Sequence, residues 1–342
     1  MAPVFDDGLL DDEDALRRAE PQLRYLAEGG ARVRREAVSA AEPLAAAVAR
    51  FSETRPRAVV AAGPDSRLLR AVLEPTCPVP FVAWPAAGLP GWAGALDLVV
   101  VLAPDGGDPG TAAGVAEAVR RGCQLVVATP EDSLVGRHVP GRYSTLLPTV
   151  TGDQLATATV MLDLLDQLAL GPDTDPEAVA VALDDVATSC GPFRDLAVNP
   201  AKILASGIAE TNPLIWGGTV LAARAARRIA ESVRRATGRA ALAADAEHLL
   251  PVLAAAPPTD VFADPFADEV ADPRPCLVLL DDGSRDPVVL ETRDRLRNQA
   301  DANGLRIETV TSQVEGDVAR YASLLATGTF AARYLQIGLG RD

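Results

Sequence analysis

Glu247 and His248 are neighbours in Ala244-Asp-Ala-Glu-His-Leu249. A carboxylate and an imidazole can both move protons near neutral pH. Successive residues on a helix point about 100° apart. The pair therefore serves one site only through an irregular backbone or a partner subunit; otherwise it is part of an exposed helix face. Gly217-Gly218-Thr219 closes the apolar run Leu214-Ile215-Trp216 at the mouth of a long helix. Free N–H groups converge at such a turn, and the turn has no acidic residue of its own, so it is a candidate anion site. Lys202, the only lysine, lies one helix earlier, where a packing or hinge role is expected. Asp281-Asp282 and Asp264/Asp268 have the composition of a divalent-cation loop, but also that of ordinary loops in an acidic chain. No Walker-type or G-x-G-x-x-G phosphate loop is present, and no Ser/His/Asp spacing points to a hydrolase.

The elements that must position these groups alternate between strand and helix. Residues 9–29 and 31–52 read as helices separated by Gly29-Gly30. Strands are expected at 57–62, 79–84, 96–102, 123–128 and 142–147. Prolines place 79–84 near an edge. The continuous apolar run at 96–102 suits a central strand buried on both faces. Helices follow at 66–74, up to about residue 121, and at 152–169. Residues 171–198, acidic and proline-rich, read as a linker with one short helix. Asn199-Pro200 then caps a helix that Asn212-Pro213 stops. A strand at 214–216, a helix at 219–236, an ambiguous stretch at 240–256 and a loop at 254–273 anchored by Phe262 and Phe266 come next. Strands at 275–280 and 305–310 and helices at 287–302 and 315–338 complete the chain. The expected fold class is α/β, with two tandem, mostly parallel, doubly wound sheets flanked by helices. The expected divisions are 1–170, the linker 171–198 and 199–342.

The two halves repeat one order of elements. Leu98-Val-Val-Val-Leu-Ala-Pro-Asp-Gly-Gly-Asp-Pro109 is a strand, a D-G turn, an Asp-Pro and a helix. Leu277-Val-Leu-Leu-Asp-Asp-Gly-Ser-Arg-Asp-Pro287 is the same. Each helix ends in glycine, Gly122 or Gly304, before another strand, and the opening units at 58–74 and 213–236 also correspond.

Four segments resemble the sugar isomerase (SIS) family. More narrowly, the second half is similar to the C-terminal domain of bacterial and archaeal bifunctional phosphoglucose/phosphomannose isomerases. The segments are Asn199-Pro-Ala-Lys-Ile-Leu-Ala205, Pro213-Leu-Ile-Trp-Gly-Gly218, the strand and helix at 275–304, and Gly328-Thr-Phe-Ala-Ala-Arg-Tyr-Leu335. The resemblance implies two flavodoxin-like SIS domains, a homodimer, and isomerisation of glucose or mannose 6-phosphate without metal or organic cofactor. It also implies a phosphate pocket, of which Ser66 and Thr111 are the surviving hydroxyls, with Gly217, Gly218 and Thr219 as the second candidate contact. Glu247 and His248 fall near the family's His-bearing segment, which makes them the candidate catalytic pair. The chain departs from the family pattern in three ways. Its loop at 104–111 carries Asp105 and Asp108, which would repel phosphate. The segment Arg234-Arg-Ala-Thr-Gly-Arg-Ala-Ala241 lacks the family's glutamate. The C-terminal lysine is absent. The alternative is a non-catalytic SIS protein that binds a sugar phosphate as a sensor or a partner enzyme as a scaffold.

Composition narrows the field further. The chain has 342 residues, 48% of them hydrophobic, and a net charge of −15. That length suggests two domains. The charge argues against nucleic acid or an anionic membrane as a partner. No run is apolar enough for a membrane span and no signal-peptide pattern is seen, so the expected location is cytoplasmic. Cys77, Cys123, Cys190 and Cys276 show no C-x-x-C spacing, and Cys123 and Cys276, each at the start of an apolar strand, read as reduced core thiols.

Overall fold

The computed structural model describes residues 4–52, 55–256 and 273–341. The chain divides into two compact units. One is Gly29–Val181 with Gly316–Val318; the other is Met1–Glu28 with Ala182–Glu315 and Ala319–Asp342. Helices α1 (Glu13–Arg18) and α2 (Glu20–Ala27) come first, followed by the long α3 (Gly29–Phe51).

In the first unit the chain runs β1 (Val59–Ala62), α4 (Ser66–Leu73), β2 (Phe81–Trp84), β3 (Leu98–Leu102), α5 (Pro109–Arg121) and β4 (Gln124–Thr129). It continues through β5 (Ser144–Pro148) and α6 (Gln154–Gln167). The sheet order is β2-β1-β3-β4-β5, and all pairs are parallel. The apolar run of β3 lies at the centre, and all five of its residues are buried. The proline-flanked β2 is an edge strand, as expected. Buried Arg32 and Glu36 tie α3 to the start of α6. The Arg32 guanidinium donates to Asp153 at 2.7 Å, and the Glu36 carboxylate accepts from the amides of Val150 and Thr151.

The second sheet is built from α7 (Pro176–Ser189), α8 (Pro200–Ile208), β6 (Asn212–Gly217), α9 (Val220–Thr237), β7 (Leu242–Ala243) and α10 (Ala246–Ala255) onward. The remaining elements are β8 (Pro275–Asp281), α11 (Pro287–Ala302), β9 (Arg306–Thr311) and α12 (Asp317–Gly338). The described strands are again parallel, in the order β7-β6-β8-β9. The sequence repeat is thus a repeat of topology, with β1, β2, β3 and β4 answering to β6, β7, β8 and β9. The repeated aspartates have the same task. Asp108 caps α5 by accepting from Thr111 N, and Asp286 caps α11 by accepting from Val288 N.

Two segments differ from the sequence expectation. Residues 171–198 hold more than a short helix. Val179, Ala182, Leu183 and Val186 recur at helical spacing along the 14-residue α7 and are all buried. Glu177, Asp184 and Asp185, among the acidic residues that suggested a linker, lie on that helix. Residues 1–28, grouped by sequence with the first sheet, pack with the second unit. Asp6 N–H donates to the Gly338 carbonyl at 2.8 Å, and Asp11 accepts from Lys202 Nζ at 2.6 Å. Phe262, Phe266, Asp264 and Asp268 lie outside the described residues. Among the described residues no helix is long and apolar enough to cross a membrane.

Candidate functional site

Each sheet has one place where neighbouring strands send their connections in opposite directions. In open α/β sheets, ligands bind in the crevice at the carboxyl ends of those strands. In the first unit the strands are β1 and β3, followed by Gly63–Ser66 and by the loop that leads to Thr111. In the second unit they are β6 and β8, followed by Gly217–Thr219 and Asp281–Arg285. Five candidate ligand residues, Ser66, Thr111, Gly217, Gly218 and Thr219, therefore fall at these two points.

At the first point the chain leaves β1 through Gly63, whose φ of +91° favours glycine. A Cβ there would stand 3.2 Å from Thr111 Oγ1, so the turn touches the first turn of α5. Ser66 opens α4 and is 1% exposed, and its hydroxyl has no hydrogen-bond partner among the described residues. A buried hydroxyl without a partner is costly, so one at a helix N-terminus is suited to a ligand's oxygen. Thr111 is committed elsewhere. Its hydroxyl and its N–H both donate to Asp108 Oδ2, each at 2.6 Å. These bonds hold the Asp108 carboxyl below the usual carboxylate range. A carboxylate thus already sits at the N-terminus of α5.

At the second point the glycines serve packing. A Cβ on Gly217 would collide with the Ala222 carbonyl group in the first turn of α9, and one on Gly218 with Val289 and Trp216. Thr219 caps α9 by accepting from Ala222 N at 3.1 Å, and its hydroxyl donates to Asp282. The turn has no acid of its own in sequence, but the fold brings one from the β8–α11 loop. The sequence signal is Asp281-Asp282-Gly283, which by composition alone reads as a cation loop. A cleft of about 380 Å³ opens here, lined by Gly217, Thr219, Arg227, Asp245, Val289 and Thr292 among others. Arg227 is the cation in its lining and stands 3.9 Å from Asp245.

Glu247 and His248 occupy the first turn of α10, next in sequence to Ala246, which lines the same cleft. Their side chains are 78% and 69% exposed, and His248 Nε2 stands 3.5 Å from Glu247 Oε1. The two do meet, because flexible side chains span the 100° between them, but they meet in solvent. Asp281 binds the Arg293 guanidinium at 3.2 Å. Among the described residues no group of three or more His, Cys, Asp or Glu is placed to hold a metal ion. Lys202 is fully buried and saturated. It donates to Asp11, to the Pro192 carbonyl at 2.8 Å and to the Arg194 carbonyl at 2.9 Å, and it lies 5.4 Å from the Tyr334 ring centre.

Two parallel sheets in tandem, each with a glycine-bearing strand-to-helix turn at its switch point, make up a fold that is similar to those of solved phosphosugar isomerases. Residues 197–342 match the family model of the bacterial phospho-glucose isomerase C-terminal SIS domain, so the second half is a SIS domain that resembles this type. The fold is similar to tagatose-6-phosphate ketose/aldose isomerase from Escherichia coli, with TM-score 0.66, 15% identity, and 93% of this chain and 94% of that one covered. It is also similar to the C-terminal domain of glucosamine-fructose-6-phosphate aminotransferase from Francisella tularensis (TM-score 0.62, 14% identity, 93% and 95% covered). A glucose-6-phosphate isomerase-like protein from Thermus thermophilus matches with TM-score 0.50 and 17% identity over 84% and 83% of the two chains. No curated protein matches the chain in sequence.

Proposed function

We propose that this protein binds a sugar phosphate, glucose or mannose 6-phosphate, at the switch point of its first sheet, as a phosphosugar isomerase-like protein. The observation that carries the reading is Ser66 Oγ, buried and unpartnered at the N-terminus of α4. Calorimetric titration with the two hexose 6-phosphates tests it. Ser66→Ala should weaken binding about tenfold, the value of one hydrogen bond to a charged group, while leaving the unliganded fold as stable or more so. No binding of either sugar phosphate would remove the proposal.

Aldose–ketose isomerisation needs a carboxylate that carries a proton between adjacent carbons and an acid that opens the ring. Glu247 and His248, supplied by a partner subunit of the proposed homodimer, are the proposed pair, and exchange of the sugar C2 proton with solvent is the direct test. Glu247→Gln should abolish that exchange. A second reading, a non-catalytic sensor or scaffold, is favoured by the exposure of both side chains and by Asp108 at the N-terminus of α5. Sugar-phosphate binding without C2 exchange is its signature. The homodimer and cytoplasmic location belong to the same proposal.

A further inference from the structure

The two sheets differ at one edge. In the first, β4 is covered by β5, paired in parallel from Leu125–Ser144 to Thr129–Pro148. In the second, β9 answers to β4, and among the described residues no strand pairs with its outer side. A groove of about 470 Å³ lies there, between β9, α7, α8 and α12. Glu308, Thr309, Val310 and Thr311 are consecutive on β9, and all four border it. Side chains of a strand alternate between faces, so a consecutive run lines one groove only through its backbone edge. Ser312, just past the strand, also borders the groove. It is 3% exposed, and its hydroxyl has no partner among the described residues.

We propose that the β9 edge is a docking site for an extended segment of a partner protein, about five residues long, that adds to the sheet in the place β5 takes in the first one. Strand addition gives affinity through main-chain hydrogen bonds and specificity through alternate side chains. The groove defines those side chains. Ile203, 38% exposed, and Leu204 on α8 give it an apolar wall. Asp185 and Glu308 are its charged lining residues, and none of the described lining residues is a lysine or arginine; Glu308 is paired with Arg306 at 2.7 Å, so exposed Asp185 is the carboxylate that favours a basic residue. The fitting segment therefore alternates apolar residues and carries a lysine or arginine. A second copy of this chain fits less well, because its net charge of −15 would meet the same carboxylates.

The test pans a displayed library of random heptapeptides on the full-length protein and maps the selected peptides by amide hydrogen exchange. The expected outcome is enrichment of basic, alternately apolar peptides that protect the amides of residues 308–313. These peptides should bind Ile203→Arg at least tenfold more weakly. Because Ile203 is partly exposed, that variant should keep the wild-type melting temperature, and Asp185→Arg, at an exposed position, gives a second reading of the same loss. Failure to enrich any peptide overturns the proposal, as does protection confined to another region. So does protection of 308–313 that grows with protein concentration in the absence of peptide, because the edge then belongs to a second copy. Sugar-phosphate binding does not enter this test, so the two proposals fail separately.

Discussion

The Thr111 hydroxyl and the Asp108 carboxylate are 2.6 Å apart, with the hydroxyl donating, and the backbone N–H of Thr111 donates to the same oxygen. The first turn of α5 therefore holds an anion supplied by the chain itself. Asp108→Asn keeps an acceptor at the cap but removes the charge. It should cost under ~1 kcal/mol of stability at pH 7, because asparagine also caps helices well. It should also tighten binding of glucose 6-phosphate several-fold. Calorimetry and chemical denaturation check the two halves, and unchanged affinity would show that Asp108 does not oppose the ligand.

The pH dependence of that variant has a definite sign. The Asp108 pKa is depressed in the folded state by its bonds to Thr111. Its contribution is present above the unfolded value, near 3.9, and is lost as pH falls through the lower folded value. The stability difference between the wild type and Asp108→Asn should therefore shrink as the pH drops below about 4. Paired urea titrations from pH 7 to pH 3 measure it, and a gap that widens in acid would contradict the assignment.

Lys202 makes three hydrogen bonds with its ammonium group, two of them to carbonyls of the Pro192–Arg194 turn. Lys202→Met leaves those acceptors and Asp11 without their donor, for a loss of about 3 kcal/mol. Asp11 is half exposed, so most of the loss comes from the carbonyls. Sugar-phosphate affinity should not change in the folded variant. Lost binding with unchanged stability would assign Lys202 to the binding site instead.

Gly217→Ala should destabilise by about 2 kcal/mol or more, because the new methyl meets the fixed Ala222 carbonyl group and not a movable side chain. Thermal melting detects this. A neutral result would mean that the β6–α9 turn is looser than its packing indicates.

Burial raises the thiol pKa values, that of Cys276 to about 12 and those of Cys123 and Cys190 in the same direction. At pH 8 these thiols are protonated and unreactive. Ellman titration of the native protein should modify partly exposed Cys77 first and the other three only on unfolding. Rapid modification of all four would show that the core opens easily.

The sequence alone determined the alternation of strands and helices, the central place of β3, the edge place of β2 and the repeat that makes Asp108 and Asp286 equivalent caps. These follow from local rules: apolar runs, proline positions, capping residues and glycine stops act within a few residues of themselves. It also carried the SIS likeness in its second half. Only the tertiary structure decided what each candidate group touches. Thr219 finds Asp282 from a loop 63 residues away, and Lys202 finds Asp11 191 residues away. Ser66 is left without a partner, and the β9 edge without a neighbouring strand among the described residues. No local pattern encodes such pairings, because the order of strands in a sheet brings together residues that are far apart in the chain.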